Sequence, residues 1–260
     1  MIGIAGVGRM GAGMLRNLIA AGHAATGYDI RPAKDFPGLP VTDDPATFGA
    51  PLTTLFTVVR DDAETDAALA AILPHAAQLE RIVLSSTLTP GYVRALAARS
   101  PVPVIDTPMS GAQAGAEAGT LSFMAGGEAG QVDAIRPALE AMGSHVHHMG
   151  GTGMGMTAKV LNNLIAASSM VATRTVLAWA ETAGLDEAKL LALIETSSGQ
   201  NWLASGIDRI EFARDGYAEG NSVAVLEKDV ACAITAAPEG AGTDLAELLR
   251  AELRKLRPMR

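Results

Sequence analysis

The chain has 260 residues, a formal net charge of −8 at pH 7 and 48% apolar residues, of which few are aromatic. This length allows one large domain or two modest ones, with a sizeable, mainly aliphatic core. The only Lys/Arg cluster is the final AELRKLRPMR, so we expect no nucleic-acid partner. A small anionic substrate stays open, because local positive charge can overrule the global sign.

The single cysteine, Cys232, excludes an internal disulfide and is consistent with a reducing compartment. No apolar run reaches the roughly 18 to 20 residues of a membrane span. No signal peptide is recognisable, because the first residues already read as a strand that runs into a glycine turn. We therefore expect a cytoplasmic protein with no membrane partner.

Segments typical of strands and helices alternate from the first residue. The predicted strands are MIGIAGV, AATGYDI, LTTLFTVVR, RIVLSST, PVPVIDT, LSFMAGG and HVHHMG. The predicted helices among them are GAGMLRNLIAAGH, TDAALAAILPHAA and EAGQVDAIRPALEAMG. Such alternation predicts βαβ units and a largely parallel sheet.

The pattern changes near residue 150. Eleven of the 13 prolines lie at or before Pro137, and none lies between Pro137 and Pro238. Within that stretch, residues 155–185 predict one long helix of about eight turns that ends at Gly184. The segment DEAKLLALIETSSG predicts another. We therefore expect an α/β domain over residues 1–150 and an all-helical domain over residues 151–260, joined by the long helix.

Three glycines near the N-terminus, Gly6, Gly8 and Gly11, fit the pattern G-x-G-x-x-G between a strand and a helix. In a dinucleotide-binding Rossmann domain the first glycine allows a tight turn, the second admits the pyrophosphate, and the third packs the helix closely. Helix N-terminal amides then face the phosphates. The alternative is a set of glycine turns without a ligand. The remaining predicted cofactor residues of this loop are Val7, Arg9 and Met10.

Asp29 ends the next predicted strand, 18 residues after Gly11. An acid at this position accepts a hydrogen bond from the ribose 2′-hydroxyl and repels a 2′-phosphate, which favours NAD. Arg31, two residues later, suits a 2′-phosphate, so NADP stays open as the alternative. We count Asp29, Ile30 and Arg31 among the predicted cofactor residues.

Lys159 lies in the segment GGTGMGMTAKVLNN, residues 150–163, after its four glycines. On a helix it shares one face with Asn162 and Asn163, which lie three and four residues later. Desolvation lowers the pKa of a lysine whereas an arginine stays charged, so a partly buried lysine suits the acceptance of a hydroxyl proton. The alternative is a solvent-facing helix lysine. We expect the glycines to let the chain pass close to the nicotinamide before the helix begins.

Four motifs in chain order resemble the β-hydroxyacid dehydrogenase family, which includes 3-hydroxyisobutyrate dehydrogenase and tartronate semialdehyde reductase. They are GVGRMGAGM, DTPMSGAQAGAEAGTL, GGTGMGMTAKVLNN and LEKDVACA, and they span nearly the whole chain. The resemblance implies a Rossmann domain that binds NAD and a helical domain that completes the substrate pocket. It implies oxidation of a small 3-hydroxy acid, or reduction of the matching semialdehyde. It also implies a homodimer or homotetramer, because the long helices of this class usually pack between subunits.

The resemblance also implies a role for each matched residue. Lys159 would be the acid/base group, and Asn162, with Asn163 as a further candidate, would orient the substrate. Ser110 and Gly111 would hold the substrate carboxylate. This is chemically reasonable, because a hydroxyl and an unobstructed backbone amide are both donors to an anion.

Three further positions complete the implied site. Thr87 would lie near the nicotinamide, and Lys228 and Asp229 would close the pocket from the helical domain, with Lys228 counted among the cofactor residues as well. The alternative for Lys228 is a structural ion pair with a nearby acid.

The chain departs from the family pattern in three respects. It is short for the family, and the region between Asp29 and Leu52 looks trimmed. Ala112 stands where the family often has a second glycine after Ser110-Gly111, which narrows the carboxylate site. Asn221, seven residues before Lys228, replaces a frequent phenylalanine, so we expect a polar pocket wall that disfavours a branched aliphatic substrate.

Other functions are weighed against this interpretation. His145, His147 and His148 suggest a metal site, but no carboxylate or cysteine motif accompanies them, so none is predicted. An imine reductase of the same superfamily tends to lack the lysine. A non-catalytic dinucleotide-binding module would be expected to lose it and often to gain basic tails. Hydroxyisobutyrate, serine, tartronate semialdehyde and succinic semialdehyde all stay open as substrates.

Overall fold

The computed structural model describes residues 1–259 and divides into two compact units, Met1–Lys159 and Val160–Arg260. The first unit is α/β and contains every strand of the described residues, whereas the described part of the second unit is helical. The predicted fold class is confirmed. The domain boundary predicted near residue 150 stays a prediction, and the first compact unit of the structure ends later in the chain, at Lys159.

The strands and helices follow the predicted alternation. The strands are β1 (Ile2–Ala5), β2 (Ala25–Tyr28), β3 (Val41–Thr42), β4 (Thr54–Thr57), β5 (Arg81–Leu84), β6 (Val104–Asp106), β7 (Met109–Ser110), β8 (Leu121–Gly126) and β9 (Gly143–Gly150). The helices are α1 (Arg9–Ala20), α2 (Pro45–Gly49), α3 (Asp62–Ile72), α4 (Pro90–Arg99), α5 (Ala112–Ala118), α6 (Ala129–Met142), α7 (Met154–Ala183), α8 (Glu187–Glu195), α9 (Trp202–Gly206), α10 (Ser222–Thr235) and α11 (Asp244–Lys255).

All strands of the described residues belong to one sheet, in the order β3-β2-β1-β4-β5-β6-β8-β7, with β9 paired to β8. Strands β1 to β6 are parallel, in the order of a dinucleotide-binding Rossmann domain. Strand β8 is antiparallel to β6 and β7 and parallel to β9. The expectation of a largely parallel sheet is therefore confirmed, and the exceptions are the antiparallel pairings of β8 with β6 and β7.

The short elements escaped prediction. Strands β3 and β7 have two residues each, and helices α2 and α5 have five and seven. Such lengths carry no readable hydrophobic period. The antiparallel part of the sheet depends on β7 and on the short helix α5 between β7 and β8, so it was not visible in the sequence pattern.

Side-chain caps set the starts of several helices. Asp61 accepts the amide of Glu64 at the start of α3, and Asp186 accepts the amide of Lys189 at the start of α8. Each carboxylate satisfies an amide that has no partner within its own helix and complements the positive end of the helix dipole. Helix α4 is capped by Thr89, whose hydroxyl accepts the amide of Tyr92, and it has Pro90 in its first turn, a position where the missing amide costs nothing.

Each unit has its own apolar core. In the first unit one cluster includes Met14 and Leu139, from α1 and α6, and the other includes Leu69 and Leu96, from α3 and α4. The core of the second unit gathers residues of α7, α9, α10 and α11, including Leu177. The helices of the first unit thus cover the sheet, and the carboxyl ends of its parallel strands are left to position the site. Within residues 1–259, no helix combines the length and the apolarity that crossing a bilayer requires.

Candidate active site

The three glycines of the first loop have three different surroundings. Gly6, after β1, has φ +95°, and a Cβ there would lie 2.4 Å from the carbonyl oxygen of Val58. A Cβ on Gly11 would lie 2.0 Å from the carbonyl oxygen of Gly6. Gly8 precedes α1, which has no side-chain cap, and a Cβ on Gly8 would have no neighbouring heavy atom within 4 Å. The turn at Gly6, the open approach to helix amides at Gly8 and the close packing at Gly11 therefore occur in the order that pyrophosphate binding requires.

Asp29 connects the end of β2 to this loop. Its carboxylate is buried and accepts the amide of Val7 at 2.9 Å and the amide of Arg31 at 3.1 Å. Burial alone would raise the pKa of Asp29, but the hydrogen bonds from Arg31 and Val7 outweigh it and lower the pKa below its usual value. Asp29 is therefore ionised at neutral pH and stands next to the glycine loop.

Arg31 is oriented by the same carboxylate. Its Nε lies 3.0 Å from Asp29 Oδ1, its Nη2 donates to Asp29 Oδ2 at 3.1 Å, and its guanidinium lies 4.6 Å from the ring centroid of Phe36. Ile30, between Asp29 and Arg31, is 87% exposed. The residues after β2 thus present a carboxylate, a guanidinium and an apolar side chain together. Of the other predicted loop residues, Arg9 is exposed and Met10 is half-buried.

The second glycine-rich stretch packs against the sheet at Asp106, the last residue of β6. The Asp106 carboxylate is fully buried and accepts the amides of Gly153 and Met156, each at 2.7 Å. A Cβ on Gly155 would lie 2.2 Å from the carbonyl oxygen of Met124, so only glycine fits there. At Gly155 the close approach is therefore to the protein's own backbone, whereas a Cβ on Gly151 would have no neighbour within 4 Å. The predicted approach of this stretch to the nicotinamide stays a prediction.

Lys159 lies in the second turn of α7 and is only 7% exposed. The expected burial is therefore present, and the solvent-facing alternative does not describe this side chain. The two asparagines differ: Asn163 is 8% exposed and Asn162 is exposed. Asn163 lies four residues after Lys159 on α7 and is buried as well, and which asparagine is the partner of the lysine stays a prediction.

Asn163 belongs to a buried polar network of the second unit. Its Nδ2 donates to Asp229 Oδ2 at 2.6 Å, and its Oδ1 accepts from Asn162 Nδ2 at 3.2 Å. Lys228 Nζ lies 3.1 Å from Asp229 Oδ1. The structural ion pair weighed for Lys228 is therefore present, and the LEKD segment joins α10 to the part of α7 that carries Asn163.

The predicted carboxylate site lies at β7 and the start of α5. Ser110 pairs with Ser122 of β8, and Gly111 has φ +133°. Ala112 has φ +53° and is the one non-glycine residue with positive φ among residues 1–259. The backbone here demands glycine-like conformations at two successive positions, and the alanine carries the strain of the second.

Two further predicted residues have clear structural surroundings. Asn221 caps α10: its Oδ1 accepts the amide of Ala224 at 3.0 Å and its Nδ2 donates to the carbonyl of Gly216 at 2.8 Å. This gives the residue a helix-capping role beside the predicted one in the substrate pocket. Thr87 is half-buried, three residues after the end of β5 and on the same sheet edge as Gly6, Asp29 and Asp106.

Asp106 is the residue that sequence reasoning left without a role. Burial raises the pKa of its carboxyl group to about 6, although the amides of Gly153, Met156 and Gly155 oppose this shift. A signal was present, because Asp106 is the first residue of the motif DTPMSGAQAGAEAGTL. Its partners lie 47 and 50 residues later in the chain, so its capping of α7 could be recognised only from the folded structure.

Comparisons with known proteins agree with this geometry. Residues 1–151 match a family described as the NAD binding domain of 6-phosphogluconate dehydrogenase. Residues 153–254 match a family described as NAD-binding of NADP-dependent 3-hydroxyisobutyrate dehydrogenase. The two matches meet beside the first turn of α7.

Relatives of known function cover most of the chain. A mitochondrial 3-hydroxyisobutyrate dehydrogenase of Drosophila melanogaster is 33% identical over 89% of this chain and 76% of its own length. An NAD-dependent L-serine dehydrogenase of Pseudomonas aeruginosa is 31% identical, over 93% of this chain and 87% of its own. A solved 3-hydroxyisobutyrate dehydrogenase of Mycobacterium tuberculosis with L-serine is 29% identical, with a TM-score of 0.81 over 98% of this chain and 92% of that one. The chain therefore belongs to the β-hydroxyacid dehydrogenase family and is an oxidoreductase that uses NAD.

Proposed function

We propose that the protein transfers a hydride between NAD and the alcohol carbon of a small 3-hydroxy acid, or reduces the matching semialdehyde, with Lys159 as the general acid/base. In the oxidation the carbinol C–H bond breaks and its hydride goes to NAD, while the hydroxyl proton goes to the Lys159 amine and a carbonyl forms. The bound dinucleotide supplies hydride acceptance. The observation that carries this proposal is a lysine 7% exposed at the start of α7.

The choice of Lys159 follows from its surroundings and chemistry. A lysine that exchanges protons near neutral pH needs partial removal from water, because desolvation disfavours the ammonium form. Lys159 meets this requirement, whereas Lys189 on α8 is an ordinary exposed lysine. Asn163, one turn later on the same buried side, is the proposed partner that orients the substrate hydroxyl.

The substrate class follows from the relatives. The names of these proteins give 3-hydroxyisobutyrate and L-serine as what they act on. Both compounds carry a carboxylate and an alcohol on the next carbon but one. In our proposal Ser110 and the amide of Gly111 bind the carboxylate, and Asn162, Asn221, Lys228 and Asp229 belong to the wider substrate-binding set.

The proposed cofactor contacts follow the first loop and the end of β2. Gly6, Gly8 and Gly11 shape the approach of the pyrophosphate to α1, with Val7, Arg9 and Met10 beside it. Asp29 accepts the ribose hydroxyl, Ile30 offers an apolar surface to the adenine, and Thr87 and Lys228 lie toward the nicotinamide. Arg31 is the residue through which NADP would bind, as the alternative cofactor.

The decisive experiment measures NAD reduction with a panel of 3-hydroxy acids for the wild type, Lys159→Ala and the matched control Lys189→Ala. We expect a loss of 10²-fold or more in kcat for Lys159→Ala, as for removal of a general base, and no change for Lys189→Ala. Equal activity of all three proteins would overturn the role of Lys159. NADH binding without turnover of any hydroxy acid or semialdehyde would instead favour a non-catalytic module, and turnover of imines alone would favour an imine reductase.

We also propose that the protein is a homodimer or homotetramer. Besides the family resemblance, support comes from an apolar stripe on α7 that consists of Leu161, Ile165, Val176 and Trp179. These four residues repeat at helical spacing on one side, and Trp179 is 70% exposed. A second copy of the same stripe offers a self-complementary apolar partner. A cytoplasmic location stays a prediction from the single cysteine.

A further inference from the structure

We propose that Asp106 is a positioning residue: its carboxylate binds the first amides of α7 and thereby sets the position of Lys159 for proton exchange. The inference rests on the proposed role of Lys159. It goes beyond that role because Asp106 itself would touch neither substrate nor cofactor.

The Asp106 carboxylate caps the start of α7 at two points. Asp106 Oδ1 accepts the amide of Gly153 and Oδ2 accepts the amide of Met156, both at 2.7 Å, so the two oxygens hold two different positions of the helix start. The amide of Gly155 contributes as well. These amides have no partners within α7, because the first turn of a helix leaves its donors unpaired. A bidentate anchor fixes both the position and the rotation of the helix start.

The start of α7 packs closely against β6 and β8 around this carboxylate. A Cβ on Gly126 of β8 would lie 2.5 Å from Asp106 Oδ1 and 2.6 Å from the amide nitrogen of Gly155. Gly155 is similarly restricted by the carbonyl of Met124. The chain therefore places glycine on both sides of the carboxylate, and the helix start packs as closely against β6 and β8 as the backbone allows.

The capped residues of α7 lie close to Lys159 along the helix. Lys159 lies three residues after Met156, which corresponds to about 4.5 Å along the helix axis and less than one turn. A rotation or shift of the first turn is therefore passed to Lys159 almost undiminished. A misplacement of about 1 Å in a reacting group can cost about 10²-fold in rate.

The Asp106 cap carries a desolvation cost that the exposed caps of other helices avoid. Asp61 and Asp186 cap α3 and α8 at exposed positions, where water solvates the carboxylate. Asp106 is fully buried. A buried carboxylate is retained at a cost in desolvation, which is consistent with a functional demand for a stiff helix start rather than with stability alone.

The test compares Asp106→Asn with Asp186→Asn, which is the same change at the cap of α8, a helix that does not carry Lys159. Asparagine keeps the shape but turns an NH2 toward one of the two amides, so half of the cap is lost. We expect Asp106→Asn to lower kcat ten- to a hundredfold per NADH-binding site, with the Kd of NADH and the KM of NAD unchanged within twofold. Asp186→Asn should leave kcat unchanged. In the Lys159→Ala background, Asp106→Asn should cause no further loss, because it acts through the lysine.

Three results would overturn the proposal. One is a kcat of Asp106→Asn within twofold of the wild type while Lys159→Ala is impaired. Another is an additive loss in the double variant, since this would place Asp106 in a separate role. The third is failure of both Asp106→Asn and the smaller Asp106→Ser to fold, because the residue would then serve the whole domain rather than α7. If Lys159→Ala retained full activity, the proposed function itself would fail, which is a distinguishable outcome.

Discussion

Arg31 and Asp29 form a two-point ion pair in which Nε and Nη2 of the guanidinium meet the two carboxylate oxygens at 3.0 and 3.1 Å. The arginine side chain is half-exposed, whereas the carboxylate is buried. The residue that would bind a 2′-phosphate is thus held by the residue that would repel it. Cofactor choice therefore depends on the pair and not on either residue alone.

We predict that Asp29→Ala shifts preference toward NADP. Removing the carboxylate abolishes the repulsion of a 2′-phosphate and leaves Arg31 without its acidic partner. A charge-assisted hydrogen bond contributes about 1.5 to 3 kcal/mol, so the ratio of kcat/KM for NADP over NAD should rise about ten- to a hundredfold. Steady-state kinetics with both cofactors measures it. The control is the double variant Asp29→Ala/Arg31→Ala, and a full gain in that variant would contradict the role of the arginine.

The two asparagines of α7 should respond differently to substitution. Asn163→Ala removes the donor to the buried Asp229 carboxylate at 2.6 Å, which should lower the free energy of unfolding by about 2 kcal/mol. Asn162 is exposed, so Asn162→Ala should change it by less than about 0.5 kcal/mol. Urea unfolding measures both. The turnover of Asn163→Ala should fall further than that of Asn162→Ala, and the reverse order would restore Asn162 as the residue that orients the substrate.

Ala112 should be improved by the glycine that the family pattern contains. An L-residue at φ +53° carries roughly 1 to 2 kcal/mol of strain, part of which is offset by the greater freedom of glycine in the unfolded chain. Ala112→Gly should therefore raise the free energy of unfolding by about 1 kcal/mol. Gly119, with φ +67° at the end of α5, gives the reciprocal control, since Gly119→Ala should lower it by about 1 kcal/mol. No gain for Ala112→Gly would mean that the neighbouring chain relaxes around the alanine.

Local sequence patterns predict some features of the fold and of the site, residue by residue. The glycine loop, Asp29 and the long helix before Gly184 were predictable, because each rests on a local pattern: spacing, a strand end, or a proline-free run closed by glycine. The pairing of Arg31 with Asp29 and the capping of α10 by Asn221 also involve residues close in sequence, but several partners compete for such side chains. Burial therefore decides among them, and burial is a property of the fold.

Other features had no local pattern at all. The partners of Asp106 lie about fifty residues away, so a carboxylate in a strand gave no sign that it caps a helix. The preference for Asn163 over Asn162 depends on which side of α7 is buried. The two residues are adjacent and both are asparagine, so the sequence does not distinguish them. The strain at Ala112 is a backbone angle that only the observed turn reveals.

The stability of the protein should depend on pH through Asp106. Burial raises the pKa of this carboxyl group from 3.8 to about 6, so the native state binds a proton more tightly than the unfolded chain does. The contribution of Asp106 to the free energy of unfolding is therefore fully present below about pH 4 and is lost as the pH rises through 6. A shift of about two pKa units corresponds to about 3 kcal/mol as an upper bound.

Asp106→Asn isolates this effect, because the variant cannot titrate at that position while all other groups are shared. The difference in free energy of unfolding, wild type minus variant, should fall by up to about 3 kcal/mol between pH 4 and pH 7. Urea unfolding across that range measures the difference. A constant difference would show that the carboxyl group has an ordinary pKa. A difference that grows with pH would show that the amides outweigh the cost of burial.

Finally, the apolar stripe of α7 should govern self-association. Trp179 is 70% exposed and is the largest side chain of the stripe, and a large aromatic anchor in an interface can contribute about 2 kcal/mol to binding. Trp179→Glu should therefore weaken association by at least about tenfold, as measured by analytical ultracentrifugation over a range of concentrations. Leu245→Glu, at a residue 60% exposed on α11, introduces the same charge outside the stripe and serves as the control. A wild-type protein that sediments as a monomer at every concentration would refute the stripe as an interface between copies. Equal weakening by both variants would contradict a special role of the stripe, because only Trp179→Glu changes the stripe whereas both variants add one negative charge.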